Sequence, residues 1–176
     1  MLNRQNGASL IEVMVAIVLL GFGLLSLIGL QGFAVTTNKN AANRGIATML
    51  AANIADILRA NPTAASGYDR VAAFDATDVA PPTWIPLSAP PCEYPGCSAA
   101  QIAEIDRRAL ARQIKSSLQA GTYSLATDTA GRFADLWIMW AEVGGPGESA
   151  FDNCPATVTA GTPSSIPRCL YMRVGL

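Results

Sequence analysis

The feature that most constrains this chain is a long uncharged stretch near its amino terminus. Residues 13–38 contain no Asp, Glu, Lys or Arg, and most of the side chains up to residue 30 are apolar. A helix needs roughly 20 consecutive apolar residues to cross the hydrocarbon core of a bilayer. Residues 8–30 meet that requirement, and we therefore predict that they form a membrane-spanning helix.

A short polar leader precedes the apolar stretch, and one acid marks the junction. Residues 1–7 carry a single cation, Arg4, and Glu12 is the last charge before the uncharged stretch. A secretory signal peptide has an apolar core of only about 7–15 residues, followed by a small-residue cleavage site. Gly32-Phe33-Ala34 is only a poor match to such a site. The apolar core is also longer than that of a signal peptide, which favours a retained anchor over a removed signal peptide.

Residues 7–13, Gly-Ala-Ser-Leu-Ile-Glu-Val, resemble the prepilin motif of type IV pilins and pseudopilins. The resemblance implies that a prepilin peptidase cuts after Gly7, on the cytoplasmic side. It implies that Ala8 then becomes an N-methylated amino terminus, although most family members carry Phe at this position. It also implies that Glu12 pairs with the free α-amine of a neighbouring subunit during assembly.

Glu12 has a second explanation that needs no partner subunit. Ser9 and Glu12 fit the capping box S-x-x-E, in which the two side chains bond free N–H groups of the first helical turn. A negative charge there also suits the helix dipole. Against this, an ionised carboxylate among apolar helices is costly unless it is paired. The two explanations are compatible, and both stay open from the sequence.

The helical pattern continues beyond the membrane. Apolar residues recur at three- and four-residue steps, and Pro62 lies shortly after the last of them; they are Ile46, Leu50, Ile54, Ile57 and Leu58. Because proline and the residue before it disfavour helical continuation, we predict one helix from about Ser9 to Ala60. The predicted organisation is a leader at 1–7, a transmembrane half-helix at 8–30, an amphipathic half-helix at 31–61 and a periplasmic globular head at 62–176.

The four cysteines all lie beyond the anchor. If the leader stays in the cytoplasm, the cysteines are on the far side of the membrane, where disulfides persist. Four cysteines allow three pairings, and loop-closure cost favours Cys92 with Cys97 and Cys154 with Cys169. A zinc site is the alternative, but the spacing of the second pair does not fit the usual C-x2-4-C pattern.

The chain contains no histidine, and its formal net charge is only −1. The missing histidine excludes Ser-His-Asp and Cys-His catalytic arrangements and any His-containing metal site. The near-zero net charge gives no reason to expect nucleic acid as a partner. We therefore predict no enzyme activity, no cofactor and no metal.

A second helix is predicted to begin after Ser98, because Ser98 and Gln101 form a capping-box pattern and Gly121 provides a stop. Arg107, Arg108, Arg112 and Lys115 form a basic ridge on this helix. Acidic residues are interleaved with them, which favours a solvated face over contact with DNA. The predicted buried stripe consists of Ile102, Ile105, Ala109, Ile114 and Leu118.

Three apolar, aromatic or β-branched stretches follow, at residues 122–126, 133–143 and 169–174, and they predict an antiparallel sheet with the second stretch at its centre. The proline-rich stretch 80–91 and the segment 153–168 are predicted to be loops, the second one stapled by its cysteines. The predicted fold class is α+β: a long N-terminal helix with a small antiparallel sheet and an extra helix in the head.

Several later residues resemble minor pilins: the run 58–62 that ends the first helix, Cys97-Ser98 with Asp106 in the next helix, the Trp-bearing strand and Cys169-Leu170. The resemblance implies a fibre subunit that helps to prime assembly, first in the inner membrane with its head in the periplasm and then in a surface pilus. Its implied partners are other minor pilins, the major pilin, the inner-membrane assembly platform and the prepilin peptidase. A minor pseudopilin of a type II secretion system is the alternative, and a membrane-anchored periplasmic enzyme or binding domain is a remote one.

Overall fold

The computed structural model describes residues 9–76, 78, 92, 95–142, 152, 154 and 167–176. The chain divides into two compact units, Met1–Lys39 and Asn40–Leu176. The fold is α+β, as the sequence predicts. Its elements are helix α1 (Leu10–Ala60), a 3₁₀ helix (Pro62–Tyr68), helix α2 (Ala99–Ser117) and strands β1 (Thr122–Thr127), β2 (Phe133–Trp140) and β3 (Arg168–Gly175).

The carboxyl-terminal part of α1 packs into the core of the second unit. Leu50, Ile54 and Leu58 are buried there, and the small residues between them are buried as well. Ile46 and Ile57 lie at the margin of the same core. The apolar repeat read from the sequence therefore marks the packed side of the helix, as predicted.

Pro62 ends α1 as predicted and begins the 3₁₀ helix that follows. Proline suits the first position of a helix because the N–H that it lacks would have no partner there. The segment after Pro62 is polar in composition, but it contributes aromatic side chains to the core. Tyr68 and Phe74 are both buried, Tyr68 in the main core and Phe74 in a smaller cluster with Met139.

Helix α2 begins with the predicted capping box. The Gln101 backbone N–H donates to the Ser98 hydroxyl oxygen at 3.4 Å, and the Ser98 N–H donates to the Gln101 side-chain oxygen at 2.9 Å. After the helix, Ala120 takes the left-handed conformation at φ 50°. Gly121 is needed for close approach, because a Cβ there would lie 2.6 Å from the Ile114 carbonyl oxygen.

The predicted buried stripe of α2 is partly wrong. Ile114 and Leu118 are buried as expected, but Ile102 and Ala109 are exposed and Ile105 is only half-buried. The buried positions in the first part of the helix are Ala103 and Leu110. The reason is the 3₁₀ helix, whose Gly67 approaches so closely that a Cβ there would be 3.1 Å from the Ala103 Cβ.

The three strands form one antiparallel sheet in the order β1-β2-β3, with the Trp-bearing strand at its centre as predicted. Alternate residues of β2 face the main core, because successive side chains of a strand point to opposite faces. Ala134, Leu136, Ile138 and Trp140 form that buried row. Met139 points to the other face, where it meets the smaller cluster containing Cys169.

Two disulfides are present, Cys92–Cys97 and Cys154–Cys169. The second one attaches residue 154 to the beginning of β3. The predicted proline-rich loop at 80–91 lies outside the described residues. Most of the predicted stapled loop at 153–168 also lies outside them.

Candidate assembly segment

The first turn of α1 contains the acid that the sequence singles out. The backbone N–H groups of Glu12 and Val13 donate to the Ser9 carbonyl oxygen at 2.9 and 3.3 Å. Within the described part of the chain, neither the Ser9 hydroxyl nor the Glu12 carboxylate makes a side-chain hydrogen bond, whereas the Ser98–Gln101 capping box is formed on both sides. The Glu12 carboxylate is thus left without a hydrogen-bonding partner among these residues.

The apolar side chains that follow are not covered by the rest of the chain. Every Leu, Ile, Val, Met and Phe from Leu10 to Val35 is exposed, with values as high as 78% at Leu10 and 72% at Phe33. An uninterrupted apolar surface of this extent marks contact with a membrane or with other proteins. Among the described helices, α1 is long and apolar enough to cross a bilayer, by length and composition.

Three hydroxyl side chains in this part of α1 form hydrogen bonds to carbonyl groups of their own helix. The Ser26 hydroxyl donates to the Phe22 carbonyl at 3.0 Å, and the Thr36 and Thr37 hydroxyls both donate to the Phe33 carbonyl at 2.9 Å. A hydroxyl bonded in this way needs no water, which suits a helix surrounded by lipid or by other helices. These three hydroxyl groups are therefore compatible with an apolar environment.

The two residues at the predicted cleavage point, Gly7 and Ala8, lie outside the described residues. Cleavage after Gly7 and methylation of Ala8 therefore stay predictions, as does the role of Glu12. Among the described residues, no group of three His, Cys, Asp or Glu side chains is placed to hold a metal ion.

Comparison with known families connects these features. Residues 2–28 match the prokaryotic N-terminal methylation motif, and residues 29–108 match the family described as type IV pilin Tt1218. The chain is a type IV pilin-like protein with a prepilin signal. No curated protein and no solved structure gives a significant match to it.

The family matches explain why so many apolar side chains of α1 are exposed. A pilin-type subunit is a structural protein anchored in the membrane by its amino-terminal helix, and α1 has the length and composition for that anchor. The match to the methylation motif covers the stretch containing Gly7, Ala8 and Glu12. The matched motif therefore runs into the same helix that carries the exposed apolar surface.

Proposed function

We propose that the protein is a minor pilin, a fibre subunit that helps to prime assembly of a type IV pilus and is then incorporated in it. The observation that carries the proposal is the exposed apolar half of α1, whose first turn contains Glu12, a carboxylate with no hydrogen-bond partner among the described residues. These apolar side chains must be shielded from water both while the subunit is in the membrane and after it has left the membrane. Neighbouring subunit helices supply that cover in a fibre.

The position of Glu12 suits pairing between subunits. Cleavage after Gly7 would leave a cationic α-amine on Ala8, four residues before Glu12. Four residues of α-helix rise about 6 Å, so a parallel neighbour shifted by that distance brings its α-amine level with the Glu12 carboxylate. In an apolar environment, an unpaired carboxylate or an unpaired α-amine has a high free-energy cost, and pairing the two offsets that cost.

The minor role is proposed from the head residues. The run 58–62, Cys97-Ser98, Asp106 and Cys169-Leu170 resemble the minor pilin called type IV pilus modification protein PilV. The proposed organisation is a leader at 1–7, a transmembrane half-helix at 8–30, an amphipathic half-helix at 31–61 and a head at 62–176. Disulfides in the head are in keeping with a periplasmic and then cell-surface location. The proposed partners are other minor pilins, the major pilin, the inner-membrane assembly platform and the prepilin peptidase.

The test combines the mass of the protein with its abundance in purified fibres. Intact-mass analysis of the protein from membranes should show loss of residues 1–7 and a gain of about 14 Da for one methyl group on the new terminus. Sheared pili should contain the protein at far fewer copies than the major pilin, and deleting its gene should reduce the number of surface pili. An unprocessed chain, or one cut near Ala34, contradicts the prepilin proposal.

A pseudopilin of a type II secretion system would have the same amino-terminal helix. Its signature would be a processed protein that is missing from sheared pili and whose deletion blocks protein secretion while surface pili remain normal. That combination of results would replace the pilus proposal with the secretion one. A periplasmic enzyme or binding domain would need neither the processing nor the fibre.

A further inference from the structure

The head contains a cavity that the assembly role does not use. Its volume is about 300 Å³, and it lies among α2, the start of β1 and the segment after the 3₁₀ helix. Small side chains, Ala72, Ala73 and Ala111, form part of its wall together with Tyr123. This volume is at the lower end of the range found for small-molecule sites.

Cationic side chains dominate the charged lining of the cavity. Among the described residues, five cations line it, Arg70, Arg107, Arg108, Arg112 and Lys115, against two carboxylates, Asp75 and Asp78. These are the residues of the predicted basic ridge together with Arg70 from the preceding segment. The cavity therefore has an excess of positive charge, which is the first requirement for holding an anion.

Three of these cations are already paired with carboxylates, two of them with the same one. Arg107 and Arg108 both donate to the Glu104 carboxylate, at 2.9 and 2.6 Å from their Nε atoms. The two guanidinium groups, Arg107 first, lower the pKa of Glu104, which keeps this bridging acid ionised. Lys115 donates to the Asp78 carboxylate at 2.6 Å. These pairs hold the rim of the cavity in place.

The other two cations have no such carboxylate partner among the described residues. The Arg70 Nε is buried and makes no hydrogen bond within the described chain, although its guanidinium lies 5.3 Å from the centre of the Tyr123 ring. Arg112 makes no ion pair or side-chain hydrogen bond with any described residue. Both guanidinium groups therefore lack a carboxylate partner in the described chain, and an anion that enters the cavity would supply one.

We propose that this cavity binds a small organic anion whose carboxylate or phosphate group is held by Arg70 and Arg112. A guanidinium presents parallel donors that match the oxygens of either group. The alanines and the Tyr123 ring would contact the apolar body of the ligand. Nucleic acid is the poorer fit, because the cavity is small and Asp75 and Asp78 would repel a polyanion.

The test uses the full processed chain in detergent micelles, titrated calorimetrically with phenyl phosphate and benzoate. We expect at least one of them to bind, and inorganic phosphate and neutral phenol to bind more weakly because each lacks one half of the contacts. Arg112→Gln should weaken binding about tenfold, since a hydrogen bond to a charged group is lost. Arg132→Gln removes the same charge at a residue that does not line the cavity, and it should leave binding unchanged.

Several outcomes would overturn the proposal. One is the absence of binding by both anions at millimolar concentration. A second is an equal loss of affinity in Arg112→Gln and Arg132→Gln, which would show a general charge effect. A third is tight binding of a short single-stranded oligodeoxynucleotide without binding of either small anion, which would identify a nucleic-acid surface instead. Thermal unfolding of both variants confirms that the comparison is made between folded proteins.

Discussion

Arg44 of α1 donates a hydrogen bond to Asp152 across 108 positions of sequence, with 2.6 Å between the guanidinium nitrogen and Oδ1. The Asp152 side chain is only 6% exposed. Its other oxygen accepts from the backbone N–H of Cys169 at 3.3 Å and lies 3.5 Å from the Arg168 Nε, which also pairs with Glu142. One carboxylate thus connects α1 with the start of β3, beside the Cys154–Cys169 disulfide.

We predict that Asp152→Asn destabilises the head by about 2 kcal/mol or more, because the nearly buried Arg168 loses one of its two carboxylate partners and the half-exposed Arg44 loses its counter-charge. Urea unfolding in detergent micelles, followed by tryptophan fluorescence, measures this, since all three tryptophans lie in the head. Asp56→Asn is the matched control, because Asp56 is 79% exposed and its contact with Arg59 is a surface pair at 3.7 Å. Surface pairs of this kind contribute about 0–1 kcal/mol. Equal effects of the two changes would show that the Arg44–Asp152 contact does not stabilise the head.

The two disulfides should differ in their contribution to stability. The Cys154–Cys169 bridge has a sequence separation of 15 and the Cys92–Cys97 bridge one of 5. On the chain-entropy account, replacing the first pair by serine costs about 3 kcal/mol and replacing the second about 2 kcal/mol. Non-reducing peptide mapping should recover both pairings, and urea unfolding of the two double variants measures the difference. Four free thiols would contradict both the pairing and the oxidising compartment.

Tyr68 should give the head a characteristic loss of stability at high pH. Its hydroxyl donates to Asp106 at 2.9 Å and accepts from the Asn61 amide at 3.2 Å. Burial first, and then the Asp106 carboxylate, raises the pKa of Tyr68 to about 12. The folded protein therefore keeps a proton that the unfolded chain releases near pH 10. Stability contributed by this group is present below about pH 10 and is lost as the pH rises toward 12.

We predict that the free energy of unfolding falls more steeply between about pH 10 and pH 12 in the wild type than in Tyr68→Phe, which has no hydroxyl to titrate at this site. The comparison is needed because burial also raises the pKa of Tyr123, so the wild-type profile alone combines several groups. At neutral pH the same variant should be about 1 kcal/mol less stable, because its hydrogen bonds to Asn61 and Asp106 are lost. Parallel pH profiles in the two proteins would show that Tyr68 does not titrate as proposed.

Features that depend on short stretches of sequence could be predicted. The Ser98–Gln101 capping box, the end of α1 before Pro62 and the three strands depend on neighbouring residues, and the structure places them close to where the sequence does. The sequence did not show which face of α2 is buried. Ile102 and Ala109 have the same seven-residue spacing as Ala103 and Leu110, so both faces fit the helical pattern. The approach of Gly67 decides between these faces, and Gly67 lies more than thirty positions away.

Contacts between distant residues left no signal that a single sequence could reveal. The Arg44–Asp152 and Tyr68–Asp106 hydrogen bonds join residues 108 and 38 positions apart. Asp152 does not stand out from the other charged residues by its neighbours in the chain, and the resemblance to minor pilins that includes Asp106 does not indicate its bond to Tyr68. The basic ridge of α2 was visible as a charge pattern, but the cavity beside it depends on Arg70, which precedes the helix by almost thirty residues. The prepilin motif is the opposite case, because its residues are consecutive.

The role of Glu12 can be separated from helix capping by one conservative change. Glu12→Gln keeps a side chain that a capping box accepts, so a purely local role predicts little effect. It removes the charge, however, so pairing with the α-amine of Ala8 on a neighbour would be lost. We predict normal membrane insertion and normal cleavage, with several-fold less of this subunit in sheared pili and fewer surface pili, when the variant is the only copy.

Ser9→Ala is the matched control, because it removes the serine half of the capping box and leaves the carboxylate charged. The described residues show no side-chain bond between Ser9 and Glu12, so this variant should assemble at wild-type levels. Immunoblots of sheared fibres and of membranes, quantified for both variants, separate incorporation from expression. Wild-type incorporation of Glu12→Gln would remove the assembly role from this residue. Reduced incorporation of Ser9→Ala with normal Glu12→Gln would assign the first turn to capping, because only the serine hydroxyl would then matter.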